Sequence, residues 1–167
     1  MKQHLPEVEL VMLAPEPEVS LDIVRGYATQ LADILNNDMG LPPEMKRSSG
    51  APLKTTESVL AFTRNWCRER NALSFAVVVG GKVAGLISLS HMDIEAKQAR
   101  TGYFIASSFQ NRGIGTQALS RLFDIAQENG FEKVTASIEA GNIASRRIWE
   151  KCGASFEFTD DDATAYL

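Results

Sequence analysis

Metal and redox chemistry have little to work with in this chain. It contains two histidines, His4 and His91, and two cysteines, Cys67 and Cys152, at no spacing that ligates a metal. The thiols therefore read as free and buried, and no metal site is expected. A basic surface is missing too: 17 Lys and Arg stand against 21 Asp and Glu, a formal charge of −4 with a pI near 5.2. That balance argues against a nucleic-acid partner. No run approaches the ~20 apolar residues of a membrane span, and "MKQHLPEVEL" lacks the basic-then-apolar plan of a signal peptide, so no membrane partner and a cytoplasmic location are expected. Internal repeats and low-complexity segments are absent. What remains, at 44% hydrophobic and 23% charged residues over 167 positions, suits one soluble globular domain spanning 1–167.

Hydrophobic periodicity lays out the elements. Val8 to Leu13 reads as a strand stopped by "APEPE". From Glu18 to Leu35 the apolar residues Val19, Ile23, Val24, Tyr27, Leu31, Ile34 and Leu35 recur at helical spacing, and Thr56 to Arg70 gives a second helix with Val59, Leu60, Phe62, Thr63 and Trp66 on or near one face. Between them Asn36 to Lys54, with three prolines and two glycines, is a long loop and a candidate lid. "FAVVV" and "VAGLISLS" form a hairpin about Gly80-Gly81. A polar connection, His91 to Ala99, leads to a strand over Thr101 to Ala106. An amphipathic helix then presents Ile114, Ala118, Leu119, Leu122, Ile125 and Ala126 to the core and closes at Gly130. Lys133 to Ile138 alternates as a strand, Asn142 caps a short helix through Lys151, and "SFEF" with "TAYL" makes a last hairpin around three aspartates. The order β-α-α-β-β-β-α-β-α-β-β predicts an α/β (α+β) domain. Its central sheet is mixed and mostly antiparallel, because only the unit from Thr101 to Ile138 demands a parallel pair.

The chemistry concentrates in "QNRGIGT", Gln110 to Thr116. Amides at a helix start point outward unpaired, the helix dipole adds partial positive charge, and Gly113 and Gly115 keep Cβ atoms away from a phosphate. Arg112 adds a full charge, although a tight strand-to-helix turn needs glycine as well. Gly113, Gly115 and Ala118 also satisfy the dinucleotide fingerprint G-x-G-x-x-A, but "SSFQNR" separates them from the preceding strand and too few parallel strands follow. No G-K-[ST] follows, which excludes a Walker loop.

"QNRGIGT" followed by "NIASRRIWEKCGA", Asn142 to Ala154, resembles the paired signatures of the GCN5-related N-acetyltransferase (GNAT) superfamily over about Phe75 to Phe158, and the second signature is similar to the branch of ribosomal-protein N-terminal acetyltransferases. The resemblance implies a GNAT-like domain of six to seven strands and about four helices, its sheet splayed between the fourth and fifth strands. It implies acetyl-CoA as cosubstrate, with the diphosphate on the loop formed by Gln110, Asn111, Arg112, Gly113, Ile114, Gly115 and Thr116. The pantetheine arm would run beside Phe104, Ile105 and Ala106, and Asn142 and Ser145 would reach the pantetheine or thioester. It further implies acetyl transfer to a primary amine, either a small molecule or a peptide N-terminus, by direct attack in a ternary complex. Dimers common in the superfamily put a homodimer among the expectations.

Such an amine must lose a proton, and a backbone N–H near Ile105 or Ala106 would stabilise the tetrahedral oxyanion. The tyrosine that often protonates the departing thiolate is replaced by Trp149, too weak an acid for that role, so Ser145 is the candidate partner of the sulfur. Glu95 is the catalytic base candidate, with Asp93, His91 and Glu139 as competitors. Tyr27, Tyr103 and Trp66 either wall the acceptor pocket or fill the core. A non-catalytic acyl-CoA-binding module and a dinucleotide oxidoreductase stand as alternatives.

Overall fold

The computed structural model describes residues 5–42, 44–45, 48–139, 141–158 and 162–166, with residues 158 and 162–166 described by their backbone. The middle of the expected lid (43, 46 and 47), two of the aspartates expected in the last turn (160 and 161) and the final residue of "TAYL" lie outside them. In chain order the elements are β1 (Val8–Ala14), α1 (Leu21–Asn37), α2 (Thr56–Arg70), β2 (Leu73–Val79), β3 (Lys82–Asp93), β4 (Gln98–Ile105), a 3-10 turn (Ser107–Phe109), α3 (Ile114–Glu128), β5 (Lys133–Glu139), α4 (Ile143–Lys151), β6 (Ser155–Phe158) and β7 (Asp162–Tyr166). The expected single α/β domain, with four α-helices about a mixed and mostly antiparallel sheet, is what the chain forms.

Local chemistry sets the element ends. Ser20 accepts the Ile23 N–H, so α1 starts at Leu21 and not at Glu18. Thr55 and Ser58 form a reciprocal capping box on α2, which ends at left-handed Asn71. Gly80 and Gly81, both at positive φ, make the two-residue turn between β2 and β3. At the end of α3 the Phe131 N–H reaches back to the Ala126 carbonyl around left-handed Gly130.

Sheet order is β1-β2-β3-β4-β5-β7-β6. One core lies between the sheet and α3 with α4, built on Ile114, Leu119, Leu122 and Trp149; another lies between the opposite face and α1 with α2, built on Val24, Leu31, Leu60 and Phe104. Three apolar residues expected in the core are instead exposed: Val19, Ile23 and Phe62, the last at 69%. The helices bury a narrower stripe than the periodicity implies, carried by Val24, Ala28, Leu31 and Ala32 in α1 and by Val59, Leu60, Thr63 and Cys67 in α2. The segment expected as a polar connection, His91 to Ala99, is also different. Strand pairing continues to Asp93↔Gln98, so β3 and β4 form one long hairpin with its tip at 94–97.

The sheet divides at its only parallel pair among the described residues. β4 and β5 are matched over Gln98↔Lys133, Ala99↔Val134 and Arg100↔Thr135 and no further. Beyond that point β4 stays with β3 as far as Gly85↔Ile105, while β5 stays with β7 as far as Glu139↔Asp162. The expected splay is present, and it exposes one edge of β4 from Thr101 onward.

Gly85 locks β3 to β4 next to this opening. A Cβ there would lie 2.0 Å from the Phe104 carbonyl oxygen, whereas one at Gly102 would meet nothing within 4 Å. Gly85→Ala is expected to cost about 3 kcal/mol, because strand backbone has to move, and to lower Tm by roughly 6–12 °C. Gly102→Ala should leave Tm level or slightly raised. Thermal unfolding of the two variants checks this; equal effects would contradict it.

Candidate active site

At the head of α3 the chain turns through left-handed Asn111 (φ 61°) and Gly113 (φ 75°), and no side chain caps the helix. Its first helical bond is Gln117 N–H to the Gly113 carbonyl, 3.1 Å. Among the described residues the amides of Asn111 through Thr116 have no protein acceptor, so successive N–H groups and the positive end of the helix dipole face outward together. Asn111 and Arg112 are exposed, and the Arg112 guanidinium sits 5.8 Å over the Phe109 ring. The Gln110 side-chain Nε2 donates to the Ile105 carbonyl at 3.0 Å, tying the loop to the end of β4.

The two glycines serve different ends. Gly113 needs its positive φ, and a Cβ there would make ordinary van der Waals contact with Leu5 Cδ2 at 3.8 Å. At Gly115 a Cβ would come within 2.7 Å of Ile148 Cδ1, so that glycine lets α3 and α4 approach each other and does not make room for an anion.

The open edge of β4 follows from alternation. The Ala106 N–H donates to the Ala84 carbonyl on β3 at 2.7 Å, so the backbone groups of Ala106 and Phe104 face β3, and those of Ile105, Tyr103 and Thr101 turn toward the gap. Of the three expected pantetheine partners only Ile105 presents its backbone there, and its carbonyl is held by Gln110. The Ala106 amide is spoken for and is no oxyanion donor. Tyr103 and Thr101, which sequence reasoning did not assign to cofactor binding, supply the edge instead; the strand's period of two would have found them once the register was known.

Across the gap stands α4. Asn142 caps it by accepting the Ser145 N–H at 3.1 Å, and the Ser145 hydroxyl lies 2.8 Å from the Tyr103 hydroxyl. Tyr103 is half-buried, and burial raises its pKa, an effect opposed in part by the Ser145 hydrogen bond and then by nearby Trp149. Trp149, in the expected tyrosine position, is fully buried and packs edge-on against Phe123 with ring centroids 5.6 Å apart, so it belongs to the core. Tyr27 and Trp66 likewise pack against buried clusters, leaving Tyr103 as the aromatic of the three at the cleft.

The four base candidates separate cleanly. His91, Asp93 and Glu95 belong to the hairpin tip region; Ala96 N–H caps on Asp93 Oδ1, and Ile94 comes within 3.3 Å of a Cβ at Gly130, at the far end of α3. With 15 residues α3 is roughly 22 Å long, so Glu95 is not brought to the loop or to Ser145. Glu139 ends β5 beside the gap, exposed, its carbonyl accepting the Asn142 N–H at 2.9 Å.

The loop after α1 is pinned at its described parts. Asn36 and Lys54 exchange side-chain-to-backbone bonds of 2.9 and 2.8 Å, while Asp38 accepts from both the amide and hydroxyl of Ser107, at 2.8 and 2.6 Å. Leu41 is buried beneath it. The described residues hold no cluster of three metal-ligating side chains and no helix long and apolar enough to cross a membrane.

With this geometry in hand, comparison gives the class. The family profile for the Acetyltransferase (GNAT) domain matches residues 25–155, and the chain belongs to that family of acetyltransferases. YdaF of Bacillus subtilis, named as a candidate ribosomal N-acetyltransferase, is 30% identical over 98 residues, which are 58% of this chain and 54% of that protein. The match thus spans about half of YdaF's length. Two solved structures share the fold. RimL, a ribosomal-protein alpha-N-acetyltransferase in complex with coenzyme A, superposes with TM-score 0.69 at 17% identity over 96% of this chain and 93% of that one. The microcin self-immunity acetyltransferase MccE, in complex with acetyl-CoA and AMP, gives 0.66 at 20% identity over 86% and 87%.

Burial raises the pKa of Cys67, Cys152 and Tyr103. A group whose folded pKa is raised contributes stability below its unfolded pKa and loses it as pH climbs through the folded value. The unfolding free energy should therefore decline above pH ~8.5, the ordinary thiol pKa, and further above ~10, the ordinary tyrosine pKa. Denaturant unfolding from pH 7 to 11 should show a shallower decline for Cys67→Ala Cys152→Ala; parallel curves would contradict the assignment.

Proposed function

We propose that the chain is an acetyl-CoA-dependent N-acetyltransferase that moves acetyl to a primary amine by direct attack in a ternary complex. The observation that carries this reading is the unpaired head of α3 lying at the end of the β4 edge that the splay leaves open. The amides from Arg112 to Thr116, with the Arg112 guanidinium, suit a diphosphate. The exposed backbone of Thr101, Tyr103 and Ile105 suits an amide-bearing arm that adds itself to a strand edge.

Acetyl-CoA supplies an acyl group on sulfur, whose thiol pKa of ~8.5 makes it a tolerable leaving group. The chain's residues do the rest. Ser145 faces the gap from α4 and hydrogen-bonds sulfur. Glu139 borders the gap, where it draws in a cationic amine and receives its surplus proton through water. Bringing an amine of pKa ~10 to its neutral form at pH 7 costs ~4 kcal/mol, so a carboxylate at this border has a task to perform. Glu95, at the other end of α3, has no part in this scheme. The names of YdaF and RimL make a peptide N-terminus the acceptor to test first, with small polyamines as the comparison.

One observation favours a second reading. The family's usual tyrosine is replaced by the buried Trp149, which suits a module that binds an acyl-CoA without turning it over.

Calorimetry with acetyl-CoA should give saturable binding, weakened at least tenfold by Arg112→Glu, with the loss shrinking in high salt. Thiol release in the presence of peptide N-termini or polyamines should exceed background and rise with pH from 6 to 8. Absence of binding overturns the proposal, and binding without thiol release supports the second reading.

A further inference from the structure

We propose, resting on the acetyltransferase reading above, that Tyr103 is a positioning residue that fixes the Ser145 hydroxyl as a hydrogen-bond donor toward the departing sulfur. The two hydroxyls are 2.8 Å apart, one on the open edge of β4 and the other one turn into α4, so the pair spans the gap from side to side. By itself that bond leaves the direction of donation undefined.

The chemistry of the two groups defines it. Thr101 Oγ1 and Trp149 Nε1 are the buried side-chain polar atoms without a hydrogen-bond partner among the described residues. They flank the pair, since Thr101 precedes Tyr103 by two on the same face of β4 and Trp149 follows Ser145 by one helical turn. Neither makes a hydrogen bond to the pair, so the direction rests on the two hydroxyls themselves: a phenol O–H is the more acidic donor, and its oxygen, conjugated with the ring, the poorer acceptor. Tyr103 is then the donor, and its proton goes to Ser145 Oγ. Ser145 Oγ has no further partner among the described residues, and its proton is left for the gap. Burial keeps Tyr103 protonated over the working pH range, so it donates throughout.

Tyr103 thus aims a serine on the opposite element. No proton need leave either hydroxyl. The C–N bond forms as the C–S bond breaks, the sulfur leaves as a thiolate stabilised by the Ser145 hydroxyl, and the proton lost by the amine is balanced through water by the one the thiolate gains.

The test compares wild type, Tyr103→Phe, Ser145→Ala and the double variant, with folding checked by thermal unfolding. One readout needs no turnover: binding of free CoA by calorimetry at pH 7 and pH 9. Wild type should bind CoA more tightly at pH 9, where the thiolate is present, and Tyr103→Phe should lose at least threefold of that gain while its affinity for acetyl-CoA changes less than threefold. In turnover, Tyr103→Phe should lower kcat about tenfold with little change in the KM for acetyl-CoA, and the double variant should be no slower than Ser145→Ala. Multiplicative losses, an unchanged kcat in Tyr103→Phe, or an unchanged pH gain would overturn the proposal and leave acetyl transfer intact. A wild type that releases no thiol with any amine sinks acetyl transfer and this inference together.

Discussion

The structure depends on an interrupted pairing. Two parallel strands begin side by side at Gln98 and Lys133 and part after Arg100 and Thr135, because each is claimed on its outer side by a different neighbour. A strand edge in the middle of a sheet is normally satisfied by the next strand, and leaving one open is costly unless something else takes its hydrogen bonds. Here the backbone of Thr101, Tyr103 and Ile105 is left facing the gap, and α3, which connects the parting strands, begins with its amides bare. A helix end with bare amides and an open strand edge thus come from a single topological choice.

The flanking helices keep that gap at a fixed width. Gly115 allows α4 to press against α3 through Ile148, and the Cys152 thiol reaches the Thr116 carbonyl at 3.6 Å. Trp149 anchors the inner face of α4 in the same core as Leu119 and Leu122. On the opposite side Asp38 fastens the loop after α1 to Ser107, just past the end of β4. A glycine expected to serve a ligand thus serves the packing of α4 beside the gap.

Much of this was legible in the sequence, because it is local. The Asn142 cap, the Gly80-Gly81 turn and the stop at Gly130 write their geometry in neighbouring residues, and element order and the glycine loop at the head of α3 follow from them. What failed was long-range. Periodicity could not say that Val19, Ile23 and Phe62 face away from the sheet, since that depends on which part of the stripe meets β-strands far along the chain. Glu95 looked close to the site because it precedes β4 in sequence, but a strand carries its start away from its end. The direction of the Ala106 amide and the meeting of Tyr103 with Ser145, 42 residues apart, required the register of β3 and β4 and the placement of α4.

The central claim is that the bare amides at the head of α3 and the unpaired edge of β4 form one binding surface. Backbone amide hydrogen exchange with and without acetyl-CoA tests it directly. Protection should rise together at Arg112 to Thr116 and at Thr101, Tyr103 and Ile105, with the hairpin tip at 94–97 unchanged. Protection confined to other segments, or none at the head of α3, would contradict the account.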